Sequence, residues 1–420
     1  MKASAISFLM MLIASSTLLV VTAVDASDYT LEIFGNANMD DAIDEEDISY
    51  VEGVIDGTNE ATELADANYD GRIDEDDIGQ IELIIAGEEK ELTIKDSAYA
   101  DAPSRIVTVK KPVDRIVALN PYVPELIRSL DADKDKIVGI CDNIAKEYEF
   151  FPEFSNLQNV GKSTNPDYEA ILSLNPDLVI GYTRAAPEHA KTLSGVPVVA
   201  FDFYVAGNHI DETRKLGYIL DKRSESEVYI DFYEGVLNTI RENVDEISED
   251  DRPEVYWEMS EPYTSSGKGY SYDEKITTAG GNNIFGDIQY LWGSVDPEYV
   301  IERNPEIIVK QGSTSSNVGA DIAELSDSRY EIINRPDLAN VIAVENGKVY
   351  SIVSGFFGGL QGNFVGVAYL AKWFHPERFD DLDPRAIHNE YLTRFQGLPE
   401  DFLDTHGAFV YHPEVHPNGH

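Results

Sequence analysis

A single cysteine, Cys141, stands in a chain of 420 residues, so no intrachain disulfide can form. Positive charge is scarce as well. Lysines and arginines total 32 against 77 aspartates and glutamates, a formal charge of −45. A surface of that sign repels nucleic acid and anionic lipid, which excludes both as partners. Only one long apolar run occurs, Ala3 to Val24, and nothing after it could span a bilayer. A Gly-x-Ser-x-Gly elbow is missing, and so are the glycine fingerprints that cradle phosphates. Cys141 has no credible histidine partner, so the chain reads as a binding protein and not an enzyme.

What is present begins with Met1-Lys2, the apolar run and Asp25-Ala26-Ser27. One positive charge, an apolar core and small residues read as an export signal, residues 1–26, cut after Ala26 or kept as an anchor. The absence of a nearby cysteine excludes a bacterial-type lipid anchor. The expected location is outside the cytoplasmic membrane, secreted or at the cell surface.

Fourteen residues occur twice. Asp167-Tyr-Glu169-Ala-Ile-Leu-Ser-Leu-Asn175-Pro176-Asp177-Leu-Val-Ile180 is matched by Asp296-Pro-Glu298-Tyr-Val-Ile-Glu-Arg-Asn304-Pro305-Glu306-Ile-Ile-Val309. Each copy shows helical apolar spacing, then Asn-Pro, which cannot continue a helix. A β-branched apolar run follows and reads as a strand buried on both faces. The duplication predicts two α/β lobes built on one plan, over 92–222 and 251–395, facing each other across a cleft. Between them, Val228, Phe232, Val236, Ile240 and Val244 recur every four residues, with Tyr233 and Leu237 alongside. They follow the capping box Ser224-x-x-Glu227, which predicts one long interlobe helix within 223–250. A packed helical connector resists bending, so a largely preformed site with modest closure is expected. The closing residues 396–420 read as a loose tail.

A second repeat lies at the front. Asp66-x-Asn68-x-Asp70-Gly71-x-x-Asp74-x-x-Asp77 sets oxygen side chains at loop positions one, three, five, nine and twelve, with glycine at six. That is the pattern a Ca²⁺ loop needs. Thirty residues earlier, Asn36, Asn38, Asp40, Asp44 and Asp47 repeat it, with Asp41 in place of the glycine. This loop is expected to bind more weakly, because it starts with a neutral ligand and strains the turn. Each loop opens a helix, Glu45–Ile55 and Glu75–Ile85. Two such loop–helix units, spanning 30–88, resemble a dockerin, a small all-α module that docks onto cohesin domains. The resemblance implies bound Ca²⁺ and a cohesin-bearing surface protein as partner.

The lobes carry a resemblance of their own, over about residues 92–375. Arg115-Ile-Val-Ala-Leu, Lys136-Ile-Val-Gly, Asn159-Val-Gly161, both Asn-Pro repeats and Ala279-Gly-Gly-Asn-Asn stand in order. They resemble the helical-backbone, class III substrate-binding proteins of ABC importers, the group serving ferric siderophores, haem and cobalamin. The resemblance implies two Rossmann-like lobes, a permease partner and a monomeric receptor for a metal chelate. Each repeat's helix runs antiparallel to its strand, so Glu169 and Glu298, in first helical turns, should stand on the rim of the mouth. Either could simply complement its helix dipole. The resemblance implies that they pair with permease arginines.

Open α/β sheets bind ligands beyond the carboxyl ends of their strands. That rule nominates Asn120, Tyr122, Asn143, Lys162, Tyr182, Arg184, Phe203 and Tyr204 in the first lobe. In the second it nominates Trp257, Tyr263, Lys268, Tyr270, Lys310 and Gln311, with Trp292 and Phe356 nearby. Arg184 and Lys268 would suit an anionic ligand in a chain so poor in cations. Of 8 histidines, only His189 and His209 precede the second lobe, and four crowd the last fifteen residues. That distribution argues against a bare transition-metal site drawn from both lobes. Two other readings stay open: a structural component of a cohesin-organised assembly, or a receptor for an oxyanion such as molybdate or tungstate.

The charge excess makes its own prediction. Self-repulsion destabilises the compact state and salt screens it. Raising KCl from about 0.01 M to about 1 M, where the Debye length falls to roughly 3 Å, should raise the melting temperature by several degrees. A flat or falling profile in a calorimetric scan would contradict this.

Overall fold

The structure is a computed structural model that describes residues 30–98, 102–289, 291–313 and 317–420. The apolar run and the processing site at Ala26 lie outside these residues. The chain begins with two helices, α1 (Glu45–Asp56) and α2 (Glu75–Ala86), each capped at its start by an aspartate, Asp44 or Asp74. Asp47 and Asp77 reach back to those cap N–H groups, and each helix ends on a left-handed glycine, Gly57 or Gly87. Local sequence alone therefore accounts for both helices.

The loops before them are not identical. Gly71 sits at φ 90°, where glycine is favoured, whereas Asp41 is not left-handed. Asp41 therefore does not strain the turn as expected. Its carboxylate points instead toward Arg214 in the first lobe, at 3.5 Å. The module is joined to that lobe in other ways too. Phe34 N donates to Thr93 O at 2.9 Å, Lys95 N donates to Glu32 O at 2.9 Å, and Arg223 donates to Ile84 O at 2.7 Å.

After an antiparallel hairpin of β1 (Glu91–Lys95) and β2 (Ile106–Lys110) comes the first sheet. Its strands are β3 (Ile116–Ala118), β4 (Ile137–Ile140), β5 (Gln158–Asn159), β6 (Leu178–Gly181) and β7 (Val198–Ala200), in the order β5-β4-β3-β6-β7, all parallel. The second contains β8 (Glu254–Glu258), β9 (Asn282–Asn283), β10 (Ile307–Ser313), β11 (Val349–Val353) and β12 (Val410–Tyr411). Its order is β9-β8-β10-β11-β12, with only β12 antiparallel. Each order reverses direction once, beside β3 and beside β8, and such switch points open a crevice at the strands' carboxyl edge.

The duplicated segments share their caps, turns and following strands. Helix α3 (Val123–Ser129) lies in the first lobe, followed by α4 (Tyr168–Ser173), which leads into β6. In the second lobe the counterpart of α4, Pro297–Arg303, leads into β10. Asp167 and Asp296 cap the two helices through their side chains. Asn175 and Asn304 both take φ 46°, a left-handed turn that asparagine tolerates ahead of the proline.

Helix α5 (Ala206–Ile219) precedes the connector α6 (Arg223–Val244), which holds Tyr229, Ile230, Tyr233, Leu237 and Ile240 in the core. Two sequence expectations are corrected here. Ser224 is no N-cap, since the cap is Lys222 without a side-chain bond, and Glu227 pairs with Arg214 at 2.9 Å. Val228 is 48% exposed. The expected stripe is buried at Val236, Ile240 and Val244, with Tyr233 and Leu237 beside it; only near the start of the helix does Tyr229 take the inward place expected of Val228.

The final residues are no loose tail. Phe402, Leu403, Phe409 and Val410 are buried, and β12 extends the second sheet. His416 Nε2 accepts from Trp373 Nε1 at 2.8 Å, and His412 Nε2 bonds Gly347 O at 2.9 Å. These rings hold the chain down and do not converge on a metal.

Candidate functional site

A cavity of about 870 Å³ lies between the lobes at the carboxyl edges of both sheets. The first lobe supplies Tyr122 after β3, Asn143, Lys146 and Glu147 after β4, Tyr182 and Arg184 after β6, and Asp202 and Tyr204 after β7. The second supplies Tyr270, Tyr272 and Trp292, then Asn317 beyond β10 and Gly355 and Gly358 beyond β11.

The walls are aromatic. Tyr204 contacts Tyr122 and Tyr182 with ring centroids 5.9 Å and 6.1 Å apart. Opposite them, Trp292 lies nearly parallel to Tyr272, 5.4 Å away at 15°, and contacts Tyr270 at 5.3 Å. Burial pushes the Tyr122, Tyr182 and Tyr272 hydroxyls up, so they stay neutral near pH 7. Such walls offer π faces and O–H groups to a bulky ligand.

Charge of both signs is present: Lys146 and Arg184 against Glu147 and Asp202. Asp202 takes a hydrogen bond from Thr183, and its Oδ1 is buried without a partner. Burial raises its pKa, and Thr183 and the nearby Arg184 only partly oppose that. An anionic ligand would meet Arg184 and Lys146, while a donor group would suit Asp202.

Of the residues nominated from sequence, Tyr122, Tyr182, Arg184, Tyr204 and Tyr270 line this cavity, as do Asn143 and Trp292. The others do not. Asn120 is buried, with its amide spent on Phe201 O and Tyr122 N at 2.7 and 2.9 Å. Lys162 and Lys268 are exposed away from the cavity. Trp257 is wholly buried, stacked under Tyr272 at 5.1 Å and 17°. Gln311 donates to the Tyr272 hydroxyl at 2.9 Å. Trp257 and Gln311 thus act on the cavity only by positioning Tyr272. Phe203 and Phe356 are core. Lys310 is bound to Glu258, Met259 O and Ser260 O, and Tyr263 hydrogen-bonds Asp337. Glu169 and Glu298 are both exposed in the first turns of their helices.

Sequence reading missed Lys146, Glu147, Asp202, Tyr272 and Asn317. The edge rule that named Asn143 could have reached Lys146 and Glu147, one helical turn on. Asn317 stands in an irregular segment with no periodic signal.

A polar chain that runs from the cavity wall into the core joins the lobes. Glu147 Oε2 accepts from Asn317 N at 3.4 Å, and Gln361 Nε2 donates to Asn317 Oδ1 at 3.3 Å and to Glu125 Oε1 at 3.1 Å. Glu125, on α3 and fully buried, also accepts from Tyr391 OH at 2.7 Å. His388 Nε2 donates to Gln361 Oε1 at 2.7 Å. Burial pushes the Glu125 pKa up to about 7, more than the bonds from Tyr391 and Gln361 pull it down.

These features fit the comparisons with known proteins. The periplasmic binding protein family matches residues 116–354. The chain belongs to that family. It is 23% identical over 334 residues to the molybdate-binding protein MolA of Haemophilus influenzae, covering 72% of this chain and 91% of MolA. It is 27% identical over 217 residues to the vitamin B12-binding protein of Yersinia pestis, covering 49% of this chain and 73% of that protein. Among solved structures, molybdate-bound MolA shares the fold at TM-score 0.60 and 22% identity, covering 73% of this chain and 98% of its own. The TroA-like periplasmic binding protein FepB of Veillonella parvula matches at TM-score 0.60 and 26% identity, over 72% and 95%. Members of this family are substrate-binding proteins, and no helix among the described residues is long and apolar enough to cross a membrane.

The buried carboxyl gives a pH prediction. A folded pKa raised above the unfolded value of 4.5 contributes stability that is full below 4.5 and lost as pH rises through about 7. Glu125→Gln should flatten the wild-type fall in stability between those pH values, by up to about 3 kcal/mol. Denaturant melts at pH 5 and pH 8 check it. Equal slopes for both proteins would refute the assignment.

Proposed function

We propose that the protein is an extracytoplasmic substrate-binding protein that takes up a metal chelate, of the ferric siderophore, haem or corrinoid kind, and delivers it to an ABC importer. The observation that carries this is the interlobe cavity of about 870 Å³ with six aromatic side chains on its walls. That volume stands high in the range of about 300–1,000 Å³ that encloses a bulky organic ligand. A bare oxyanion would leave most of it to water. MolA and the vitamin B12-binding protein show that relatives of similar distance differ in ligand, so size and wall chemistry, more than likeness, support the chelate.

The front module supports a second part of the reading, a dockerin-like Ca²⁺ site with a cohesin-bearing surface protein as partner. Among the described residues no three His, Cys, Asp or Glu side chains gather as metal ligands. The loops still fit calcium by donor chemistry. Asn36, Asn38, Asp40, Asp44 and Asp47 in one, and Asp66, Asn68, Asp70, Asp74 and Asp77 in the other, offer hard oxygens alone. Asn36 Oδ1 is buried without a hydrogen-bond partner. Burial pushes Asp47 up to about 6 against the pull of the Asp44 and Asn38 N–H bonds, and raises Asp77 as well. A bound cation would relieve both. Because the module packs on the first lobe, a cohesin would hold the receptor rigidly near its permease.

Thermal unfolding of the whole chain tests the receptor reading. The panel is ferric siderophores, ferric citrate, haem, cobalamin, molybdate, tungstate and Zn²⁺. A ligand at a hundred times its Kd stabilises by about 2.7 kcal/mol, a shift of a few degrees. A response to one chelate supports the reading, a response to molybdate or tungstate alone replaces it, and silence throughout favours a structural component. In the same assay Ca²⁺ should raise the melting temperature and EDTA lower it, and Asp77→Ala should remove more of that response than Asn36→Ala. A melting curve indifferent to Ca²⁺ would sink the module's part of the proposal.

A further inference from the structure

Asp202, on the cavity wall just beyond β7, is only 1% exposed, and half of its carboxyl is unsatisfied. Its Oδ2 takes a hydrogen bond from the Thr183 hydroxyl, while Oδ1 is buried with no partner. Next to it stands a second carboxyl, Glu212 on α5, wholly buried and outside the cavity lining. Glu212 Oε1 accepts from the Asp202 N–H at 2.7 Å, and its Oε2 is also without a partner. Burial raises both pKa values, and the Asp202 charge lifts that of Glu212 further. Arg184 is near enough to pull the Asp202 value down, yet it supplies no hydrogen bond to Oδ1. A carboxylate oxygen left bare in an interior is costly, so it calls for a donor from the ligand.

The side chains around Asp202 are aromatic. Burial chiefly raises the pKa of the Tyr122 and Tyr182 hydroxyls, and the Asp202 charge adds to it, which places both rings near that carboxyl. Tyr204 contacts the same two rings at 5.9 Å and 6.1 Å. All three tyrosines line the cavity together with Asp202. Tyrosine faces attract cations, and several of them around one carboxylate make the kind of pocket that holds an ammonium group.

We infer that Asp202, Tyr122, Tyr182 and Tyr204 form a cation subsite within the cavity, and that the cargo is a chelate bearing a protonated amine. An ammonium N–H donates to Asp202 Oδ1, and its charge rests against the tyrosine faces. This rests on the receptor reading above and narrows its ligand class. The overall charge points the same way. A chelate rich in carboxylates or catecholates is repelled by a chain of −45, whereas one with a cationic arm is drawn to it. A neutral hydroxyl or amide satisfies Oδ1 equally well but gains little from the rings or from the field.

Titration calorimetry of the whole chain tests this with two probes. One is a linear ferric trihydroxamate that ends in a primary ammonium group, and the other is the same chelate with that amine acetylated. The free amine should bind about tenfold more tightly or better. Asp202→Asn should bring the two chelates within about twofold of each other by weakening the amine form alone. Tyr204→Leu, which leaves the carboxyl pair untouched, should narrow the gap part of the way. Unchanged affinity for the acetylated chelate shows that each variant keeps its fold. Equal wild-type affinity for the two chelates, or an Asp202→Asn variant that still prefers the amine, would overturn the inference and leave the receptor reading standing. Binding of haem, cobalamin or ferric citrate alone, none of which carries an ammonium group, would do the same. No response to any chelate would overturn both.

Discussion

The molecule depends on one helix lying where both lobes can grip it. On α6, Tyr229 hydrogen-bonds His209 of the first lobe at 3.0 Å and meets Phe395 of the second at 5.4 Å. One turn on, Tyr233 meets the same histidine at a tilt, 4.6 Å away, and Phe364 edge-on at 5.6 Å. A helix held on two sides by aromatic rings cannot bend without opening both contacts, and packed interiors resist such voids. Burial keeps His209 neutral, with its pKa pushed down to about 4, so the clamp is uncharged across ordinary pH. The cavity inherits its shape from this arrangement. Its two walls are fixed at a set spacing by the helix behind them and the Glu125–Gln361–Asn317 chain.

That rigidity bears on what the site can do. Tyr272 is held from below by Trp257 and from the side by Gln311, and Trp292 lies against it. A ligand entering such a site finds its aromatic faces already ordered and loses little to rearrangement. The mixed charge of Arg184, Lys146, Asp202 and Glu147 suits a ligand with donors and acceptors of its own, as a chelate has. The front module adds no wall to the cavity. It is tied to α5 and α6 through Arg214 and Arg223.

Much of the architecture was legible because it repeats. The duplicated Asn-Pro segments located a helix, a left-handed turn and a buried strand in each lobe, since proline and β-branched runs constrain the backbone locally. The two front helices were legible through their aspartate caps. Side-chain direction was not. Trp257 and Gln311 stand on or beside strand ends, as the edge rule requires, yet they point into the core, and only Tyr272 between them shows why. Asn120 follows β3 as Tyr122 does, but its amide closes the turn that presents Tyr122. The connector was recognised with its stripe right from Val236 onward and wrong at its start, because aliphatic spacing weighed Val228 above Tyr229. The last residues looked loose for their prolines and histidines, and their burial against Trp373 and β11 is a tertiary fact that no local pattern carries.

The most direct test of a preformed cleft is the distance between the lobes with and without ligand. Nitroxide labels at Glu188→Cys and Glu324→Cys, both exposed and on opposite lobes, report it by pulsed electron resonance, and the buried Cys141 stays unlabelled. The account predicts that adding the stabilising ligand narrows the distribution and moves its mean by no more than about 2 Å. A shift of many ångströms, with a broad open population in the free protein, would show that α6 bends and would contradict it.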